Sequence, residues 1–158
     1  MKSFEYPKII VVNRVIILNP KKKKFLIMQR SKSDSWMPLR WEFPGGKLNK
    51  GQDINNATER EALEETGLLV FPIDRVVYFE SYIVPEGKHK GETFICLIGL
   101  SKTLTENVKL SAEHDDFRWV DIAEALEMDL VEESKKAIIS LNELIEKQFS
   151  LLTTNTQH

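Results

Sequence analysis

Glu61, Glu64 and Glu65 stand close together in a stretch whose pattern predicts a helix over Ile54 to Thr66. Asp53 is a suitable N-cap, and Gly67 is a suitable left-handed stop just past the end. At 3.6 residues per turn the three carboxylates fall within an arc of about 100°. Like charges at that spacing cost only a few tenths of a kcal/mol per pair, roughly. A solvated helix face tolerates such a cost, so three acids alone do not define a site. The same crowding also suits a hard divalent cation. Mg²⁺ takes carboxylate oxygen and keeps waters that substrate phosphates replace.

The residues around these acids make the pattern specific. Gly46 precedes, followed by Arg60-Glu61, apolar Ala62, Glu64-Glu65, Gly67 and apolar Leu68. This order resembles the Nudix signature: a glycine, five residues, a glutamate, seven residues, then Arg-Glu-apolar-x-Glu-Glu-x-Gly-apolar. Six exact matches arise by chance in about 10⁻⁵ of chains this long. Trp41-Glu42-Phe43-Pro44-Gly45-Gly46-Lys47 resembles the approach to that signature in MutT-type members, and Glu113 to Val120 resembles their late acidic loop and Trp-bearing strand. The signature's first glutamate falls on Gln52 here. A glutamine is uncharged and half its head group donates, so metal binding is expected to weaken, by about tenfold for an outer-shell change.

The resemblance implies an αβα sandwich around a mixed sheet and a hydrolase that cuts phosphoric anhydrides. The expected reaction is attack of water on a diphosphate linkage, most simply a normal or damaged nucleoside triphosphate giving monophosphate and pyrophosphate. ADP-sugar or dinucleotide cleavage, or nucleotide sensing without turnover, are the alternatives. Mg²⁺, or Mn²⁺ in its place, is the implied cofactor. Glu61, Glu64 and Glu65 are the implied side-chain ligands, and Gly45 the implied backbone one, a role needing close main-chain approach. Arg60 is expected to pair with a neighbouring glutamate. Lys47 and Arg30 are candidates for substrate phosphate, and Glu113 or Asp115 for a further carboxylate. Glu132 and Glu133, before the last helix, are candidate base readers; otherwise they are acids favouring a helix N-terminus. Trp36, Trp41 and Tyr82 are candidate stacking residues, with Trp41 and Trp119 better placed as core. Pro85 does not fall at the spacing of ADP-ribose pyrophosphatases.

Elements on both sides must position this segment. Ile9 to Leu18 (IIVVNRVIIL) is β-branched and closed by Asn19-Pro20, the mark of a strand, and Phe25 to Gln29 is a second. Lys21 to Lys24 between them read as a solvated turn rather than a phosphate patch. Arg30 to Arg40 is loop, Trp41 to Phe43 briefly extended, and Pro44-Gly45-Gly46 is expected to break the strand. Val70 to Val84 alternates between strand-like and turn-like, while Glu92 to Leu100 and Phe117 to Val120 are further strands, with a flexible basic connection at Gly87 to Gly91. Asp121 to Glu127 and Val131 to Lys147 are helical, the latter with Ala137, Ile138, Leu141, Leu144 and Ile145 at core spacing. One domain over 1–148, with a polar tail at 149–158, is the expected organisation.

Composition limits the alternatives. The chain has 158 residues, 42% hydrophobic and 29% charged, with a formal charge of −2. That balance fits one globular domain and lacks the basic excess of a stable nucleic-acid binder. A small nucleotide is the expected partner, with no membrane role, and the sequence does not define an oligomeric state. Cys96, the single cysteine, sits in FICLI and reads as a buried small hydrophobe. With no apolar run of membrane length and no signal-like start, the cytoplasm is the expected compartment.

Overall fold

The computed structural model describes residues 8–19, 21 and 23–154. Seven strands form one mixed sheet: β1 (Ile9–Asn19), β2 (Lys24–Arg30), β3 (Trp41–Glu42), β4 (Gly45–Lys47), β5 (Val70–Ile83), β6 (Thr93–Thr103) and β7 (His114–Val120). Its main path runs β3-β2-β1-β6-β5, with β4 also paired to β1 and β7 to β2. β1 and β6 are parallel, from Ile9 opposite Thr93 to Leu18 opposite Lys102; the other pairs are antiparallel. Among the described residues, three helices complete the fold: α1 (Ile54–Thr66), α2 (Ile122–Leu126) and α3 (Glu132–Thr154).

Alternation along the strands builds two cores. Ile16, Phe25, Ile27, Cys96 and Ile98 face Ala125, Ala137 and Ile138 of α2 and α3. Val15, Ile17, Leu26 and Met28 face Ala62 of α1, with Leu68 just beyond it. Both faces of β1 and β2 are therefore covered, which is why these strands read as continuous apolar runs. The αβα sandwich expected from the resemblance is the fold observed.

Local signals at α1 hold. Asp53 accepts from the Asn56 backbone N–H at 3.0 Å, and Gly67 adopts φ 69° with its N–H donating to the Leu63 carbonyl. β3 ends at Glu42, so the expected break before the glycines holds, and the two glycines then pair with Asn13 and Arg14 as part of β4. Their small size permits the approach that β1 requires. The tail boundary expected at 149 falls within α3, which continues to Thr154. Residues 1–7 and 155–158 of the expected domain and tail lie outside the described residues.

Candidate active site

The Gly45-Gly46 segment of β4 and helix α1 are joined by two glutamates. Gly45 has φ 146°, and a Cβ there would run into the Asn13 carbonyl and lie 2.6 Å from Arg14 Cα. Only glycine lets β4 lie this close to β1. The Gly45 backbone N–H donates to Glu65 Oε2 at 2.8 Å. Glu61 lies over Gly46, where an added Cβ would sit 2.6 Å from its Oε1 and 2.9 Å from its Oε2. Burial pushes the Glu65 carboxyl up to about 7, against the lowering effects of the Gly45 N–H, His114 and Arg14.

Arg60 organises the outer edge of the same patch. Its Nη2 lies 2.7 Å from Glu61 Oε1 and its Nη1 3.0 Å from Glu64 Oε2. The Nη2 also donates to Gln52 Oε1 at 3.4 Å. The expected pairing of Arg60 with a neighbouring glutamate is therefore present twice. Glu64 is exposed and Glu65 is buried, so the three carboxylates differ in setting although they share a helix patch. Among the described residues, no three acidic, histidine or cysteine side chains are already gathered at metal-holding distance. The fit to a hard cation lies in the donor chemistry, all carboxylate, and in the space that Gly46 leaves for Glu61.

Behind these glycines lies a buried charge network that sequence reasoning missed. Glu42 Oε2 is 2.8 Å from Arg14 Nη1, while its Oε1 is 2.6 Å from Arg30 Nη1 and 3.2 Å from His114 Nε2. The Arg14 Nη1 hydrogen bond goes to the Phe43 carbonyl at 2.9 Å, so its contact with Glu42 is an ion pair without hydrogen-bond alignment. Burial pushes the Glu42 carboxyl up, but Arg14, the His114 hydrogen bond and Arg30 outweigh it and bring it down to about 2. Burial lowers the Arg14 guanidinium, and the Glu42 and Glu133 carboxylates more than offset that. A signal was available: Arg14 is the one charge in IIVVNRVIIL, and Glu42 sits between two large aromatics.

The network includes two of the substrate candidates. Arg30 is already engaged: its Nη1 meets Glu42, its Nη2 meets Asp34 and its Nε donates to the Trp36 carbonyl at 2.8 Å. Its guanidinium also lies 4.7 Å from the Trp36 ring centroid, so it clamps the loop after β2. Glu133 is buried, 3.8 Å from Arg14 Nε, and helps balance that charge. Glu132 is exposed in the first turn of α3.

Other candidates divide cleanly. Trp41 is core, while Trp36 is 42% exposed. Asp115 Oδ2 accepts from the Lys32 backbone N–H at 2.8 Å, a loop contact, and Glu113 is exposed with its carbonyl accepting from Ser31. Lys21 and Lys23 are turn residues, Lys24 opens β2 and pairs with Glu124 at 2.9 Å, and Lys22 lies outside the described residues. Cys96 is buried, and burial pushes its thiol up to about 12, the behaviour of a small core hydrophobe.

Strand register places the remaining polar groups. Residues directly opposite in a ladder project to the same face. Val12 is opposite both Lys47 and Cys96, and Ile10 is opposite Phe94, which is opposite Tyr82. Lys47, Tyr82 and Phe94 therefore stand on the α3 side of the sheet, with Arg14. No helix among the described residues is long and apolar enough to cross a membrane.

Known proteins agree with this architecture. The family model of the NUDIX domain matches residues 9–141. The 8-oxo-dGTP diphosphatase of Buchnera aphidicola is 52% identical over 50 residues, covering 32% of this chain and 40% of that protein. The asymmetrical bis(5'-nucleosyl)-tetraphosphatase of Mus musculus is 26% identical over 116 residues, 73% of this chain and 76% of that protein. The crystal structure of a MutT protein from Methanosarcina mazei superposes with a TM-score of 0.74 at 25% identity, covering 89% of this chain and 97% of that one. With the signature glutamates on α1 and the sandwich fold both in place, the chain belongs to the NUDIX domain family and, within it, is MutT-like.

Proposed function

We propose that this protein is a divalent-metal-dependent pyrophosphohydrolase that cleaves a nucleoside triphosphate, normal or damaged, to the monophosphate and pyrophosphate. The observation that carries this reading is the seating of Glu61 on Gly46 and of Glu65 on the Gly45 N–H, which ties the acidic helix to the paired glycines of β4. In the reaction a water oxygen bonds to phosphorus as the bridging P–O bond breaks, and the water's protons end on the products or buffer. Glu61, Glu64 and Glu65, with the Gly45 main chain, would hold Mg²⁺ or Mn²⁺. When bound, the ion neutralises phosphate charge and acidifies the attacking water.

The chain's own groups do the rest. Arg60 holds Glu61 and Glu64 at the patch edge. Burial raises the Glu65 carboxyl to about 7 without metal, so it must give up its proton to serve as a ligand. Lys47, exposed immediately after Gly46, supplies positive charge for substrate phosphate. Glu132 remains a candidate for contacts to the nucleoside. The buried free thiol of Cys96 supports a reducing compartment such as the cytoplasm.

The likeness to the asymmetrical dinucleoside tetraphosphatase extends over more of the chain than that to the 8-oxo-dGTP enzyme, so dinucleoside polyphosphates are the second substrate class. A panel of nucleoside triphosphates, dinucleoside polyphosphates and ADP-sugars, run with Mg²⁺, with Mn²⁺ and with excess chelator, tests both. Metal-dependent release of monophosphate and pyrophosphate from a triphosphate is the expected result. Turnover unaffected by chelator, or confined to the other two classes, rejects the leading reading.

A further inference from the structure

The β5–β6 hairpin, expected from its glycines to be a flexible connection, is bonded internally and to the candidate site. Gly91 N–H donates to the Val84 carbonyl at 2.9 Å and Val84 N–H to the Glu92 carbonyl at 3.0 Å, while Glu92 N–H reaches the His89 carbonyl at 3.0 Å. Gly87 and Gly91 take φ 81° and 83°, which lets the chain turn this tightly. At the tip, the His89 ring lies 5.6 Å from the Phe94 ring and is only partly exposed. From there it makes two polar contacts. Nε2 is 2.8 Å from Lys47 Nζ, and Nδ1 is 2.6 Å from Glu92 Oε2.

The chemistry of the partners assigns the tautomer. A lysine ammonium has donors only, so Nε2 must accept; the ring proton then sits on Nδ1 and is donated to Glu92. Glu92 is held in turn by Lys8, 2.6 Å from its other oxygen. The Lys8 hydrogen bond first, and the His89 one second, hold the Glu92 carboxyl below its ordinary range. This is an anchored chain of contacts from β6 to Lys47, which stands immediately after the glycine on which Glu61 rests.

We propose that His89 is a positioning residue that holds Lys47 toward substrate phosphate. The proposal rests on the reading of Lys47 as the phosphate-binding base. An ammonium has three N–H donors, so the bond to His89 leaves two for phosphate oxygens. Holding the lysine in advance also removes part of the rotamer entropy that binding would otherwise cost.

A double-mutant cycle on the full chain with Mg²⁺ and nucleoside triphosphate tests this. His89→Ala raises KM by about tenfold, the scale of one hydrogen bond to a charged group, with a smaller effect on kcat. His89→Gln, which keeps an acceptor and a donor at its end, recovers most of that loss. His89→Ala in the Lys47→Ala background adds nothing further, because its effect passes through Lys47. An unchanged KM in His89→Ala, no recovery in His89→Gln, or additive losses in the cycle overturns the proposal. Should the parent protein turn over no nucleotide, the hydrolase reading fails on its own. The same cycle is then read by calorimetric binding of inorganic pyrophosphate with Mg²⁺, where the same non-additivity supports the role of His89 and additivity overturns it.

Discussion

Glu61 rests against Gly46 so closely that a methyl group on Gly46 would lie within 2.6 to 2.9 Å of its carboxylate atoms. Gly46 has an ordinary backbone conformation, unlike Gly45 at φ 146°. The need for glycine at 46 therefore comes from the carboxylate above it. Gly46→Ala is expected to change stability by less than about 1 kcal/mol, since the displaced group is the end of a side chain. Turnover with Mg²⁺ should fall at least tenfold, roughly, because a ligand is moved. Melting curves beside steady-state rates check this, and normal catalysis in Gly46→Ala would show that Glu61 has no need of its place. Gly45→Ala, by contrast, drives a Cβ into the backbone of β1 and should prevent folding.

Glu65 makes a pH-dependent contribution with a definite sign. Its carboxyl stands at about 7 in the fold against 4.5 ordinarily, because burial disfavours the charge. Between those values the unfolded chain has released the proton and the folded chain still holds it, so this group's contribution to stability falls as pH rises from about 4.5 to about 7. Complete ionisation costs on the order of 3 kcal/mol. Glu65→Gln keeps an acceptor for the Gly45 N–H and carries no charge. Without metal, its melting temperature relative to the parent should rise from pH 5 to pH 8, approximately, while Mg²⁺-dependent turnover drops by orders of magnitude. A melting difference that does not vary with pH would locate the ionised carboxylate in a solvated setting.

Glu42 should behave oppositely. Its carboxyl is held at about 2, so its contribution is present above about 4.5 and is lost as pH falls from there toward 2. Glu42→Gln leaves Arg14 and Arg30 facing a neutral group in the interior and should cost about 3–5 kcal/mol. Chemical denaturation measures the loss. A cost under about 1 kcal/mol would mean that the charges are better solvated than their burial indicates.

Gln52 touches Arg60, and Arg60 also holds Glu61 and Glu64. A carboxylate at that position would compete for the guanidinium and leave the other two freer for a metal. Gln52→Glu is therefore expected to tighten apparent Mg²⁺ affinity by about tenfold. Superimposable Mg²⁺ titrations of parent and variant would remove Gln52 from the electrostatics of the site.

What the amino-acid order determined by itself is local or periodic. The bounds of α1 follow from Asp53 and Gly67, the glutamate arc from helical spacing, and β1 and β2 from their apolar runs. Each signal acts within a few residues, so each is legible without the fold. The partners of the charges are not. Gly45 and Glu65 are 20 residues apart, Arg14 and Phe43 29, and Lys47 and His89 42. Arg30 and Glu133 resemble exposed charges in the sequence, yet Glu133 is buried and Arg30 half-buried, each against a charge of opposite sign. The break before Gly45-Gly46 is legible, but the pairing of the two glycines with β1 is not. Desolvation sets the sign and size of an electrostatic contribution, and desolvation exists only once distant segments have packed together.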